Sequence, residues 1–440
     1  MMGGKLKSLA QRLKDNEFWS KLVKNVSTIV VGQGGASALN MVTTFASASV
    51  LGATGYGSLM IGQTFMQAVD AFLNFQSWQG VIRYGSICLE RKDDDGLAST
   101  IKAGFFVDVV SAVLGCAAAF AIVPLVAGLL GWDAVSTMAA TIFCFEIIVH
   151  IEGTPTGVLR LFDKFNYVAI YAVSMAALKL ALVAAVLFVL GPNVVAIACV
   201  YCAVDIMKNV TLFILALFVV TKRIGLKRVV TSKRRNLPKG FFSFTLWSNL
   251  AGTADAPIQY FDVFFLSMLS SEVVGVFKFF KQLLTAFTLL STPVQQAIMP
   301  QLAELIAKGQ KKQAYGVVKK IERIFIKVVS PCAVLAIAAV PPVLGYFMDP
   351  LYGSYWYLFA ALAALTVVSI TFSALHPCFS AYGFSKQSAG ITLLANVAYL
   401  VACYLLLGVV GVMAIPLSMG IQYALAIGIK TLYIKRVVLA

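Results

Sequence analysis

The stretch YAVSMAALKLALVAAVLFVL, residues 171–190, leaves its part of the chain little choice. It is apolar almost throughout and has the length a helix needs to cross the hydrocarbon core of a bilayer. Comparable runs recur along the chain from Val26 onward. In lipid every backbone polar group must find its partner within the segment, so the fold class expected is all-α and polytopic. Composition agrees: of 440 residues, 60% are hydrophobic and 12% charged, about half the charge of a soluble chain. The first apolar run is too long for the core of a cleavable signal peptide, so none is expected. Cys199 and Cys202 spell CVYC, but inside an apolar helix, where thiols pack as small hydrophobes; no metal or redox site is expected.

About twelve spans are predicted, near 25–50, 57–82, 101–130, 134–159, 165–190, 194–221, 240–268, 273–298, 318–347, 355–381, 387–407 and 411–434. The odd-numbered connections are short and nearly free of cations, for example LGATGYG (51–57), GWD (131–133) and MDPLYG (348–353). The even-numbered ones carry the Lys and Arg, for example RYGSICLERKDDD (83–95) and TKRIGLKRVVTSKRRNLPKG (221–240). Excess Lys and Arg marks the cytoplasmic side, which places the even loops and both termini inside. The net charge of +16 is then a cytoplasmic collar drawn to anionic lipid head groups at about 1 kcal/mol per residue, and not a nucleic-acid footprint. Residues 1–24 are basic with Leu6, Leu9, Leu13 and Trp19 interspersed, a pattern for a helix lying on the inner membrane face.

The chain repeats itself. LGATGYGSL (51–59) aligns with LSSEVVGVF (269–277), which sets Gly57 against Gly275, 218 residues on. Thr154-Pro155 aligns with His376-Pro377 at an offset of 222. The long basic connection falls between the halves. Two six-helix lobes of like orientation follow, 25–221 and 240–440, joined by a basic cytoplasmic linker, 222–239.

Charge inside the spans is the remaining puzzle, because it costs about 2.5–3.5 kcal/mol at the bilayer centre and persists only when paired or wet. Lys179, Glu146, Asp205, Lys208, Asp70 and Asp255 are expected near mid-depth, and Asp262, Lys278 and Lys281 nearer the outer face. Counted from their hairpin turns, Lys179 and Asp205 share a depth, and so do Asp262 and Lys278. Asp205 and Lys208 also share a helix face. The set Lys179, Asp205, Lys208 and Glu146 is thus expected to form mid-membrane ion pairs that hold helices in register. Spans 9–12 are read as nearly free of such charge, with His376 a helix-end residue beside Pro377. Pro293, Pro331, Pro377 and Pro416 mark hinges or packing kinks.

Residues 25–86, with a polar-studded first helix, then LGATGYG, then a second helix ending in Arg83-Tyr84, resemble the opening of the polysaccharide-exporter family, the Wzx-type flippases of the multidrug/oligosaccharidyl-lipid/polysaccharide (MOP) exporter superfamily. GVLRLFDKFNYVA (157–169) and the two-lobe plan fit as well. The resemblance implies a V of two lobes that moves an isoprenoid-diphosphate-linked oligosaccharide, such as an O-antigen repeat unit, from the cytoplasmic to the outer leaflet by alternating access. It implies a bacterial inner membrane, a monomer, and a polysaccharide polymerase and chain-length proteins as partners beside the lipid-linked oligosaccharide and anionic lipids. It also implies that spans 1, 2, 7 and 8 line a central cavity. Gln33, Asn40, Gln67, Asn74 and Gln259 would then face sugar hydroxyls, and Lys278 and Lys281, beside Asp262, the diphosphate. Asp70 and Asp255 become the carboxylates for H⁺ or Na⁺ coupling, the chain needing no other cofactor. The family carries no catalytic motif, so no catalytic residue is expected. The chain lacks the two further spans of the lipid II flippase branch.

Two rivals remain. A MATE-type multidrug or metabolite cation antiporter would hold its cargo in a net acidic, aromatic site, whereas this cavity would contain Lys278 and Lys281. A membrane glycosyltransferase or polysaccharide polymerase needs a sizeable outer loop, and the outward connections are short. No glycine-rich phosphate loop is present to bind ATP.

Overall fold

A computed structural model describes residues 17–253, 256–288, 298, 301–302, 304–306 and 308–437. Among these residues there is helix and no strand. Helix α1 (Glu17–Leu73) is followed by α2 (Trp78–Glu90), α3 (Asp94–Leu130), α4 (Ala134–Ile147), α5 (Gly153–Leu161), α6 (Phe165–Leu190) and α7 (Val194–Arg223). A short linker helix, α8 (Leu226–Thr231), leads to α9 (Phe241–Thr253), α10 (Ala256–Ser267) and α11 (Ser271–Thr288). The chain closes with α12 (Lys311–Phe347), α13 (Pro350–Ser354), α14 (Trp356–Thr371), α15 (Leu375–Ala381), α16 (Ser385–Val410) and α17 (Ala414–Val437). Seven described helices are long and apolar enough to cross a membrane, and residues such as Phe188, 92% exposed on α6, suit lipid and not water. The chain is an all-α polytopic membrane protein. The expected interfacial segment, 1–24, lies outside the described residues up to residue 16; helix runs from Glu17 onward.

Several expected spans are broken, and the breaks follow the local chemistry. The turn read at 51–57 is a break at one residue inside α1: Gly52 takes φ 68°, ψ 176°, a conformation that glycine adopts without a Cβ penalty. The helix that restarts there exposes the amide of Ala53. The Asp349 carboxylate accepts it at 3.2 Å and caps α13 through Leu351 N at 3.0 Å, so one side chain serves two helix starts. Span 2 breaks at 74–77 and span 4 between Ile147 and Gly153, where Gly153 and Pro155 interrupt the apolar run. Span 10 breaks between Thr371 and Leu375, just ahead of Pro377.

The chain packs as two compact units. Val69–Pro124 and Thr141–Thr253 join the residues up to Ala46 in the first; Ser47–Ala68, Leu125–Ala140 and Ala254–Ala440 form the second. The linear division at 222–239 assigns residues 47–68 and 125–140 to the N-terminal lobe, whereas their packing joins them to the second unit. In the first unit the core gathers Val81, Ile101, Leu159, Leu212 and Phe241. There α8 is docked on the start of α3, with Arg228 reaching Asp94 at 2.7 Å and Asp95 at 2.8 Å. In the second the core gathers Leu302, Val318, Phe379 and Ile434.

Inside the second unit, the repeat predicted from LGATGYG becomes a contact. A Cβ on Gly57 would lie 1.7 Å from the Ser271 carbonyl oxygen and 2.9 Å from Gly275 N. A Cβ on Gly275 would lie 1.9 Å from the Ala53 oxygen and 2.9 Å from Gly57 N. The contact is reciprocal, Ala53 and Gly57 answering Ser271 and Gly275 at one offset of 218 residues. Only glycine lets two helix backbones approach so closely.

Candidate functional site

In the first unit the polar groups collect where helices break. Asp108, on α3 and 1% exposed, sits between the breaks of spans 2 and 4. Its Oδ1 accepts the amide of Ser77 at 2.9 Å, just ahead of α2, and its Oδ2 accepts the amide of Thr154 in the first turn of α5. The hydroxyls of Ser77 and Thr154 meet at 2.7 Å. A carboxylate between two helix N-termini offsets the positive end of each and satisfies amides that lack intrahelical partners.

Beside this clamp runs a row of ionisable groups. Asn74 donates to Asp70 Oδ1 at 2.8 Å and to the His150 carbonyl at 2.7 Å, and accepts from Ser111 at 3.0 Å. His150 Nδ1 stands 2.7 Å from Asp70 Oδ2, and its Nε2 stands 3.6 Å from Glu152. Lys208 closes the row on Glu152 at 2.9 Å. Nδ1 must donate to Asp70, which fixes the ring and leaves Nε2 to face Glu152. An imidazole bracketed by two carboxylates can hold a proton or hand one between them.

Lys179 meets both oxygens of Asp205, at 2.8 and 2.7 Å, with Nζ 4.7 Å from the Tyr201 ring centre. Two other expectations for this group differ. Lys208 leaves its helix neighbour Asp205 for Glu152, which the break in span 4 brings within reach. Glu146 is buried and makes no ion pair among the described residues; it sits in the last turn of α4, before the chain leaves the helix.

The second unit holds a sparser constellation. Asp262 on α10 is 1% exposed. Its Oδ1 accepts the amide of Val263 at 2.7 Å and its Oδ2 pairs with Lys281 on α11. The pairing expected with Lys278 is thus taken by the residue one turn further along. Helical side chains lean toward the helix N-terminus, so Lys281 reaches the level at which counting placed Lys278. Lys278 has no ion-pair partner among the described residues. At the other end of the unit, Lys430, 7% exposed, lies 3.2 Å from His376 Nδ1, and Ser388 lies 3.4 Å from the same atom. The stretch read as spans 9–12 thus ends in one buried cation, Lys430, toward the end of α17.

Of the remaining expected cavity residues, Asn74 joins Asp70 directly, and Gln67 is half-buried. Asn40 and Gln259 are exposed and join neither cluster. Asp255 and the side chain of Gln33 lie outside the described residues, as does Pro293. His150, Glu152 and Asp108 were missed by sequence reasoning. The signal was present: HIEGTPTG (150–157) puts glycine, proline and four titratable or hydroxyl residues inside an apolar run. Among the described residues no group of His, Cys, Asp and Glu is placed to hold a metal ion.

Comparison with known proteins fits this arrangement. A multidrug resistance MATE family transporter of the MOP superfamily in an inward-facing conformation superposes with a TM-score of 0.72 at 13% identity, over 92% of this chain and 97% of that one. The outward-facing conformation of a MATE family transporter gives 0.61 at 14% identity, over 94% of each chain. A MOP superfamily transporter from Pyrococcus furiosus Vc1 (DSM3638), described as having a binding pocket of reverse polarity, gives 0.60 at 12% identity, over 94% and 95%. The fold is thus that of MOP transporters. Inner membrane protein YghQ of Escherichia coli (strain K12) is 30% identical over 115 residues, 26% of this chain and 32% of that protein, so the match spans about a third of that relative's length. Residues 22–306, well over half of the sequence, match the family described as "Polysaccharide biosynthesis protein", and the chain belongs to that family.

Proposed function

We propose that the protein is a flippase that carries an isoprenoid-diphosphate-linked oligosaccharide, such as an O-antigen repeat unit, from the cytoplasmic to the outer leaflet by alternating access. The observation that carries this reading is the charge around Asp262. One buried carboxylate lies near two lysines carried by a single helix, α11, and engages only Lys281. A surplus ammonium in a spanning segment suits a diphosphate and repels an organic cation. Family membership supports a glycan cargo, and the fold supports a carrier. The coupling ion, H⁺ or Na⁺, acts at Asp70 and Asp255. Asp70 sits at a broken helix, where transporters commonly build ion sites. The membrane is the bacterial inner membrane, as for the Escherichia coli relative, with both termini cytoplasmic, as the basic loops require. Anionic lipids, a polysaccharide polymerase and chain-length proteins are the partners, and the chain works as a monomer without a catalytic group.

The test is reconstitution in liposomes with a fluorescent isoprenyl-diphosphate oligosaccharide whose leaflet is read by a membrane-impermeant quencher. Protein-dependent movement, lost in Lys278→Ala/Lys281→Ala, is the expected outcome. Extrusion of organic cations without glycolipid movement overturns the reading in favour of an antiporter.

A further inference from the structure

The hairpin of α16 and α17, in the second unit, carries a polar stripe that neither the fold nor the cargo explains. On α16, Ser388, Thr392, Asn396, Tyr399 and Cys403 recur at spacings of four, four, three and four residues, one face of a helix. Ser418, Gln422 and Lys430 answer them from α17. The stripe is not solvated from outside: Tyr399, Cys403 and Ser418 are each 0% exposed, and Asn396 is 3%.

Its hydrogen-bonding capacity is unfilled. Gln422 donates to Asn396 at 3.3 Å, but its Oε1 has no partner among the described residues. The hydroxyls of Tyr399 and Ser418 meet no oxygen or nitrogen among the described residues; what they have beside them is the Cys403 sulfur, a weak partner. Each such group costs about 1–3 kcal/mol when buried dry. Three along one seam in a spanning hairpin call for bound water, which bridges buried polar groups with two to four hydrogen bonds.

The stripe also connects two charged places. Its cytoplasmic end is the His376–Lys430 pair, with Ser388 on the same imidazole nitrogen. Near its other end α10, which carries Asp262, packs against α16 and brings the Asp262 charge to bear on Tyr399 and Cys403; Lys281 on α11 pairs with Asp262, and Lys278 stands one turn before it on the same helix. From α12, Glu322, paired with Lys319 at 2.6 Å, faces α15 at Cys378. Adjacent polar residues on the stripe are about 5–6 Å apart along the helix, a gap that one or two waters span.

We propose that the α16–α17 seam holds a file of ordered water through which a proton passes between the His376–Lys430 pair and Asp262, and that protonation of Asp262 releases Lys281. The proton adds to one carboxylate oxygen of Asp262. Lys281 keeps its own proton and its charge, and only O–H and N–H bonds are made or broken. One ion pair beside a further lysine becomes a neutral acid beside two ammonium groups, which strengthens the place for a diphosphate; loss of the proton restores the Asp262–Lys281 pair and weakens it. The consequence for cargo rests on the flippase reading, whereas the water file does not.

The experiment uses the full chain in lipid nanodiscs, without cargo. X-ray hydroxyl-radical footprinting labels buried side chains that touch bound water. Cys403 is expected to label several-fold faster than Cys144, which is also 0% exposed, and Ser418→Ala or Gln422→Leu should bring it down to the Cys144 rate. In infrared difference spectra between high and low pH, a carboxylic-acid carbonyl band is expected that vanishes in Asp262→Asn. Cys403 labelling at the Cys144 rate overturns the file, and a band untouched by Asp262→Asn overturns the proton's destination. Both readouts work on the wild-type chain or on a variant that keeps the Asp262 volume. Failure of glycolipid transport with both readouts positive would sink the flippase reading and leave the water file standing.

Discussion

Lys208 and Lys430 stand 222 residues apart in the sequence, as do Pro155 and Pro377, yet the two lysines meet different chemistry. In the first unit Lys208 ends on the Glu152 carboxylate, within a row in which Asp70, His150 and Glu152 each have named partners. In the second, Lys430 meets an imidazole, and Asp262 pairs with Lys281 while Lys278, on the same helix, has no ion-pair partner among the described residues. One plan of broken helices thus supports two electrostatic solutions. The first is interlocked and tolerates few losses; the second keeps capacity in reserve. A repeat can preserve where polar groups belong while changing what they bind.

The largest effect should come from the clamp that holds the interlocked side together. Asp108→Ala leaves the amides of Ser77 and Thr154 buried without acceptors, and at about 1–3 kcal/mol each the variant should lose about 2–6 kcal/mol in detergent unfolding. A cost no larger than that of Ser388→Ala would erase the contrast between the units. Next, Lys208→Ala should cost about 2–4 kcal/mol, below the figure for a fully buried pair because Lys208 keeps some solvent contact, and Glu152→Gln in the same chain should recover most of it. Lys281→Ala should cost less, because Lys278 stands on the same helix to take Asp262; equal melting losses for the two single variants would refute the idea of reserve. Smaller again is the Lys179–Asp205 coupling, expected at about 0.5–3 kcal/mol from a double-mutant cycle. Arg228→Ala, at an exposed pair with Asp94 and Asp95, should leave the melting temperature within error at high salt.

How legible this was in the sequence depended on the kind of signal. Spans and the half-to-half repeat were plain, because hydropathy and glycine placement are local and repeat many times. The Lys179–Asp205 level could be counted because both helices run unbroken from a tight turn. The same counting misassigned Lys278, where lysine's long side chain shifts its charge by a full turn, and Lys208, where a break in span 4 delivers Glu152 from outside the hairpin. His150 and Asp108 stayed hidden for a related reason: their roles exist only once two breaks are folded beside α3. The α16–α17 stripe was readable as a periodicity, but serine, threonine and tyrosine in an apolar helix attract less notice than charge.

The glycine crossing carries a historical consequence. When residues 53 and 57 touch 271 and 275, and the same contact reads identically from either partner, the geometry is that of a twofold homodimer. A half-length ancestor could have built this junction by associating with itself, and fusing two copies end to end would have preserved it. Sequence divergence since then is free to recolour the surroundings, but at that junction the two descendants must still change together or not at all.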